Sequence, residues 1–461
     1  MLKEVEVAVL TAYFQSEGTI TPLKNLYNSN IKRIMLLAIV EEFCKPGEGT
    51  RFPSMATGFD RPVFGEKVIY VRPYSSFEPN MNLYKNTKVK PLPKKASKDY
   101  VGEAIKIAKD MGMKIDIIDA PTAVPTPSIG QEKWGYPYPQ PGLDEYKHVR
   151  VDGKRIDGIE AKGCFNNPDV RNYALARIKD IVSHYPDIDT LILDHIEFPT
   201  YNIKDNFSCF CEHCYKEAKK MGYELDKIKE EVYNFYKRVK NISKQTIRNI
   251  KYYRSLFDSI DLLINNPLLF DWIKFKTDSV VEFVKEVRSI LKEENKNVAL
   301  GLTGFTPTLG YLGSRNYKKL AEYCDVLLPK FYNEHWGLIA KWWAEELMEY
   351  NANLIDEECI EFFYVLTGWS ELGAPKKIDE IDPSSPKGII PPETLITESV
   401  KIRNMVQEKS KIFCFLHCWG TKENLEKKLR ILKECPIDGI ALWNYGLLSD
   451  EKLNILKEYL K

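Results

Sequence analysis

Residues 190–214 read TLILDHIEFPTYNIKDNFSCFCEHC. Leu191, Ile192 and Leu193 form the apolar run that a strand needs when both of its faces are covered. Asp194, His195 and Glu197 follow at once, and Pro199 cannot extend a ladder of hydrogen bonds. A buried strand that stops abruptly in acidic and imidazole side chains is expected where a parallel barrel delivers groups to a site. Cys209, Cys211 and Cys214 come next at C-x-C-x-x-C spacing, so an acid pair and a thiol cluster flank one loop.

The same phrase recurs on both sides of this stretch. Val5–Tyr13, Ile31–Val40, Met113–Ile118, Asn297–Gly304, Asp325–Tyr332, Lys411–Trp419 and Asp438–Tyr445 share its apolar character. Segments with helical spacing separate most of them, the clearest being Asp99–Met111, Asn167–Tyr185, Tyr215–Lys240, Ile247–Ile264, Asp271–Glu294 and Glu393–Gln407. Eight strands alternating with helices predict an α/β chain folded as a (β/α)8 TIM barrel. One domain over residues 1–461 is expected, with long βα-loop insertions at about 43–98, 120–163 and 205–295. A doubly wound open sheet is the competing topology, but no G-x-G-x-x-G or G-K-[ST] phosphate loop accompanies these strands.

Composition narrows the partners. Lys and Arg number 66 against 65 Asp and Glu, a net charge of +1, which lacks the basic excess of a nucleic-acid binder. The start MLKEVEVAVL lacks a basic-then-apolar leader, and no apolar run approaches the ~18–20 residues of a membrane span. A cytoplasmic protein with no nucleic-acid or membrane partner is therefore expected. Ten cysteines in such a chain read as thiols or metal ligands before disulfides, although pairing among the six scattered ones stays open.

Positions just after the strands gather Tyr13, Glu41 or Glu42, Asp119, Asp194 with Glu197, Thr303, Lys330, Tyr332, Glu334, His417, Trp419, Trp443 and Asn444. Glycoside hydrolysis requires two carboxyl groups about an acetal, and aromatic faces suit the apolar side of a sugar ring. Asp194, Glu197 and Glu334 are therefore read as catalytic candidates. Asp119, Lys330, Tyr332, His417, Trp419, Trp443 and Asn444 are read as substrate-binding. For any one of these acids a salt bridge or helix cap is the competing assignment. The Pro- and Tyr-rich stretch Pro125–Gly142 supplies either more aromatic wall or a surface insertion. Trp342 and Trp343 serve packing or a contact between copies in a homo-oligomer.

Tetrahedral zinc asks for four N or S ligands, of which Cys209, Cys211 and Cys214 supply three. Cys164, at the end of the loop after the third strand, is preferred as the fourth, with His213 as the alternative. Reduced thiols and a disulfide pair remain open. A zinc bound by four thiolates has no open position, so its expected role is structural.

The phrase NNPDVRNYALARIKDIVSHYPDIDTLILDHIEFPTY, followed by CFCEHC and YKEAKKMGYELD, resembles a set of TIM-barrel glycoside hydrolases with an L-D-x-I-x-F-P strand end and a C-x-C-x-x-C loop. The likeness is most specific over residues 164–226. The D-H-I-E order also resembles the Asp-x-x-Glu strand end of retaining α-glycosidases, which implies Asp194 as nucleophile. Glu197 would then orient the substrate, or the two roles would be reversed. The sequence departs from those enzymes at LLPKFY, where Lys330 stands in place of their acid. Glu334, Asp119 and Glu41 are left as proton donors. The expected function is cleavage or transfer at a glycosidic bond; the alternatives are a carbohydrate-binding barrel without turnover and a zinc-dependent hydrolase.

Overall fold

The structure is a computed structural model that describes residues 4–46, 48–53, 58–122, 143–157, 162–252, 260, 264–370 and 373–460. The stretch Pro125–Gly142 and most of the expected insertion at 120–163 lie outside these residues, as does much of the expected helix Ile247–Ile264.

Eight parallel strands close on one another. They are β1 (Val5–Val9), β2 (Arg33–Leu37), β6 (Lys114–Asp119), β7 (Thr190–Leu193), β8 (Ala299–Phe305), β9 (Val326–Lys330), β10 (Lys411–His417) and β11 (Gly439–Trp443). Their order around the barrel follows the chain, and β1 pairs with both β2 and β11. Helices separate most neighbouring strands, and the expected (β/α)8 barrel is the fold. The helices start where a short polar side chain can take up a free N–H: Asp99 accepts from Gly102 N at 2.8 Å, and Asn167 accepts from Asp169 N at 2.9 Å.

The lower part of the barrel interior holds a charge cluster rather than hydrocarbon alone. Arg33 on β2 reaches Asp116 on β6 at 2.6 and 3.0 Å, Thr190 on β7 at 2.8 Å and Glu4 at 2.9 Å. Glu6 on β1 lies buried beside them. Burial, and then the charge of Asp116, pushes its carboxyl well above the usual range. One guanidinium thus joins three consecutive staves of the barrel and the residue that leads into β1.

Two boundaries differ from the sequence reading. β1 stops at Val9, and Tyr13 lies in a helix, Thr11–Glu17, fully buried with its hydroxyl on the Arg61 carbonyl at 2.7 Å. β2 ends at Leu37, and Glu41 and Glu42 belong to β3 (Ile39–Phe43). With β4 (Thr50–Phe52) and β5 (Ile69–Ser75), β3 forms a three-stranded antiparallel sheet in order β3-β5-β4 inside the 43–98 excursion. The Gly- and Pro-rich character of that stretch hid the alternation of β5. Glu41 is not on the barrel rim. It caps the helix Thr11–Glu17, accepting from the Thr11 hydroxyl at 2.6 Å and from Ala12 N at 3.1 Å. Trp342 and Trp343 are accounted for within the chain: Trp342 packs edge-on against Tyr201, and Trp343 donates to the Tyr201 carbonyl at 3.1 Å.

Two stability predictions follow from these contacts. Replacing Arg33 with Met strands Asp116 as a buried unpaired charge, so chemical denaturation is expected to show a loss of ~3–5 kcal/mol. Burial also raises Glu41 from 4.5 to about 7, against its bonds to Thr11 and Ala12. Between those values the folded state keeps a proton that the unfolded state has lost, so stability falls as pH rises through the window and the loss is complete above it. The shift corresponds to ~3 kcal/mol. Unfolding free energies measured from pH 4 to 8 should fall more steeply for the native chain than for Glu41→Gln, and equal slopes would remove this role.

Candidate active site

β7 sets the centre of the site. Its apolar residues pair with β6 and β8, and the first residue past the strand, Asp194, donates its N–H to the Asp119 carbonyl at 2.8 Å. The Asp194 carboxylate therefore emerges at the carboxyl ends of the strands, where barrel sites are built. Its two oxygens have different surroundings. Oδ1 accepts from Lys330 Nζ at 2.7 Å, from the His195 N–H at 2.9 Å and from the Thr303 hydroxyl. Among the described residues, Oδ2 faces only the imidazole of His195, with Nε2 at 3.5 Å. Burial works against the charge, but His195, Lys330 and the Lys330 and Thr303 bonds prevail and hold this carboxyl far below the usual aspartate range.

His195 stands between the two acids of the D-H-I-E phrase. Its Nδ1 is 3.1 Å from Glu197 Oε1. Its backbone has φ of +56°, an arrangement few residues other than glycine and asparagine adopt without cost. Burial lowers the imidazole, opposed by the charge of Asp194. Glu197 is 2% exposed and locked between Lys162 at 3.0 Å and Arg315 at 3.2 Å. Against burial, Lys162, the His195 bond and Arg315 hold it well below the usual glutamate range. It is an anion with no proton to give.

Two other expected acids have structural partners. Glu334 is fully buried in the helix Asn333–Tyr350 and paired with Lys428, which is itself 1% exposed. That ion pair sits behind His417, whose carbonyl lies 3.4 Å from Lys428 Nζ, so Glu334 presents nothing to the barrel mouth. The structure thus places the expected catalytic Glu334 in a buried ion pair in that helix. Asp119 is gripped by Arg177 at 2.6 and 2.7 Å, as a strut between β6 and the helix Pro168–His184 rather than a group left over for substrate. Asn444 is buried and caps its own turn through Gly446 N at 2.9 Å.

The wall beside Asp194 is aromatic. Tyr332, His417 and Trp419 pack with His335, which the sequence reading missed because it sits in the first turn of a helix. Ring centroids are 4.0 Å apart for His417 and Trp419, 4.8 Å for His335 and His417, and 4.2 Å for Tyr332 and His417. Burial, followed by His335, Lys428 and Lys330, lowers His417 strongly; burial and Lys330 lower His335 to about 3. Both imidazoles are therefore neutral. His335 Nε2, His417 Nδ1 and Trp419 Nε1 have no hydrogen-bond partner among the described residues. Trp443, half-buried at the end of β11, completes this side.

The sulfurs of Cys164, Cys209, Cys211 and Cys214 all lie within 4.8 Å of one another. Cys164 is 3.5 Å from Cys214 and 3.7 Å from Cys211. Four thiolates ~2.3 Å from one zinc stand ~3.8 Å apart, so the cluster has the right size. Val149 N points at Cys209 Sγ at 3.3 Å and Asn166 Nδ2 at Cys214 Sγ at 3.4 Å, the N–H donors that thiolate ligands require. His213 is not part of the cluster and pairs with Glu212 at 3.3 Å. Lys162, Arg315 and Lys428 were also not foreseen, since each meets its carboxylate from a distant part of the chain.

Comparison with known proteins gives a family and a fold. A family model described as Beta-galactosidase, Glyco_hydro_42, matches residues 78–355. Among solved structures, the polyextremophilic beta-galactosidase of the Antarctic haloarchaeon Halorubrum lacusprofundi is similar with a TM-score of 0.52 and 12% identity over 99% of this chain. The beta-galactosidase of the psychrophilic Marinomonas ef1 is similar with a TM-score of 0.50 and 13% identity over 96% of this chain. At such identities the likeness is one of fold. The chain covers 58% and 54% of those two proteins. A search of curated proteins found no match.

Proposed function

The chain belongs to the Glyco_hydro_42 beta-galactosidase family, and from that premise we propose that it cleaves or transfers a glycosidic bond of a carbohydrate, with Asp194 as nucleophile and β-galactosides as the first substrates to try. The observation that carries this reading is the asymmetry of Asp194. Its Oδ1 is saturated by Lys330, Thr303 and the His195 N–H, while Oδ2 is left for an anomeric carbon. A carboxylate held ionised at a strand end is what a double-displacement reaction asks of its nucleophile. Lys330 orients it. Tyr332, His335, His417, Trp419 and Trp443 would take the sugar: the neutral rings face its apolar side, and the three nitrogens left without a partner among the described residues can bond its hydroxyls.

Zinc is proposed for Cys164, Cys209, Cys211 and Cys214. Bound by four thiolates it would brace the loop after β6 against the loop after β7, and so hold the D-H-I-E phrase in place without entering the chemistry. No helix among the described residues is long and apolar enough to cross a membrane. None of the ten cysteines is in a disulfide, in keeping with a reducing interior, and a cytoplasmic setting is part of this proposal.

Two measurements check it. Asp194→Asn should lower turnover of aryl β-galactosides by ~10⁴-fold or more with the fold intact by circular dichroism. A native chain inactive on a broad panel of aryl glycosides would instead favour a sugar-binding barrel. Metal analysis should find one zinc per chain, and Cys164→Ser should hold it ~10-fold or more weakly with a lowered unfolding temperature. Zinc that is stripped without loss of activity in the folded enzyme is expected, and a strict loss would point to a metal-dependent hydrolase.

A further inference from the structure

The ladder between β7 and β8 ends at the pair Leu193 and Leu302. One residue further on, no ladder pair sets the distance between Asp194 and Thr303, yet the Thr303 hydroxyl donates to Asp194 Oδ1. We propose that Arg315 is the positioning residue that sets this contact, by gripping the ends of both strands from behind. This rests on the assignment of Asp194 as nucleophile.

Arg315 lies between the short helices Pro307–Gly310 and Tyr317–Leu320. Ser314, with φ of +63°, makes the turn before it, and the Arg315 N–H closes that turn on the Gly310 carbonyl at 2.8 Å. None of the Arg315 side chain is exposed. Its Nε donates to the Thr303 carbonyl at 3.1 Å, one Nη to the Ile196 carbonyl, and the other Nη to Glu197 Oε2 at 3.2 Å. A rigid planar fork thus fixes a carbonyl of β8, a carbonyl of the segment after β7, and the carboxylate that stands 3.1 Å from His195 Nδ1.

Both routes end at the nucleophile. Thr303 bonds Asp194 Oδ1 through its hydroxyl, and His195 bonds the same oxygen through its N–H at 2.9 Å. Side chains alternate between the two faces of a strand, so Thr303 points to the site while Gly304 turns toward Arg315. A Cβ on Gly304 would lie 2.5 Å from Arg315 Nε and 2.8 Å from the Tyr317 hydroxyl, which bonds the Phe305 carbonyl. Glycine is required here for the close approach of the guanidinium. Arg315 acts through Thr303 and Glu197 and not on the substrate. Loosening it frees the carboxylate to swing, which costs rate and not affinity, since the groups read as sugar-binding lie on the aromatic wall.

Covalent capture of the nucleophile in the full chain is the test, with a panel of 2,4-dinitrophenyl 2-deoxy-2-fluoroglycosides, the β-galactoside first. Asp194 Oδ2 bonds to the anomeric carbon, dinitrophenolate leaves with the electron pair of the C–O bond, and the fluorine slows hydrolysis of the resulting ester. Peptide mass analysis of the native chain should find the label on Asp194. Arg315→Lys keeps a charge beside Glu197 but not the fork; the inactivator should bind it within ~3-fold of the native chain, while capture slows ~10²-fold. Gly304→Ala removes no donor and should behave in the same way. Thr303→Val should also slow capture, and adding Arg315→Lys to it should cost less than the product of the two losses, because one acts through the other. Should Arg315→Lys fail to fold by circular dichroism, Gly304→Ala and its combination with Thr303→Val carry the comparison. Capture at the native rate in the folded variants, weaker binding without slower capture, or losses that multiply with Thr303→Val would overturn the positioning role and leave Asp194 as nucleophile. A native chain labelled at another residue, or by no member of the panel, would overturn both.

Discussion

A carboxylate withdrawn from water stays ionised only with a cation or several hydrogen-bond donors beside it, and that requirement governs this barrel from floor to mouth. At the floor, Arg33 answers Asp116 and Glu4 while Glu6 keeps its proton. At the mouth, Arg177 answers Asp119, Lys162 and Arg315 answer Glu197, Lys330 answers Asp194, and Lys428 answers Glu334 behind the wall. Removing Arg177 or Lys428 would leave its partner as a charge without a cation in low dielectric, whereas Glu197 would keep one of its two. The compensation is also selective. Each of the four has its own ion pair, but Glu334 is fully buried behind the wall, whereas Asp194 stands at the carboxyl end of β7 with Oδ2 facing the imidazole of His195.

The barrel was legible because its strands are local facts. An apolar run such as LILD at Leu191–Asp194 or DVLLPK at Asp325–Lys330, flanked by helical spacing, states its own burial. The excursion after β2 was not legible, since β3, β4 and β5 are short, carry charged and proline residues, and make sense only as a paired sheet. The site was readable at Asp194 for the same local reason. Its electrostatics were not: Glu197 and Glu334 look like available acids until Arg315 and Lys428 are brought to them from remote segments. The thiol cluster lay between these cases, because three of its cysteines share a short loop and the fourth arrives through the adjacency of β6 and β7.

His335 and His417 show how burial changes what a residue type means. In water they would be partly charged near neutral pH, but stacked against Tyr332 and Trp419 and facing Lys330 they are neutral rings with free nitrogens. The wall next to Asp194 therefore adds no positive charge of its own, and among the described residues the cation in contact with that carboxylate is Lys330. A neutral, hydroxylated ring fits such a surface better than an anionic one does.

Closure of the barrel has a consequence for how the chain assembles. Val5, Glu6 and Val7 of β1 pair with Ile440, Ala441 and Leu442 of β11, so the first strand meets its second neighbour only after the other six strands of the barrel have been made. Until then β1 is an open edge with β2 on one side, and the hydrocarbon of the growing sheet stays exposed on its inner face. A ribosome-bound chain would carry that edge until β11 emerges, which makes the pairing of β11 with β1 the step that ends its exposure to aggregation.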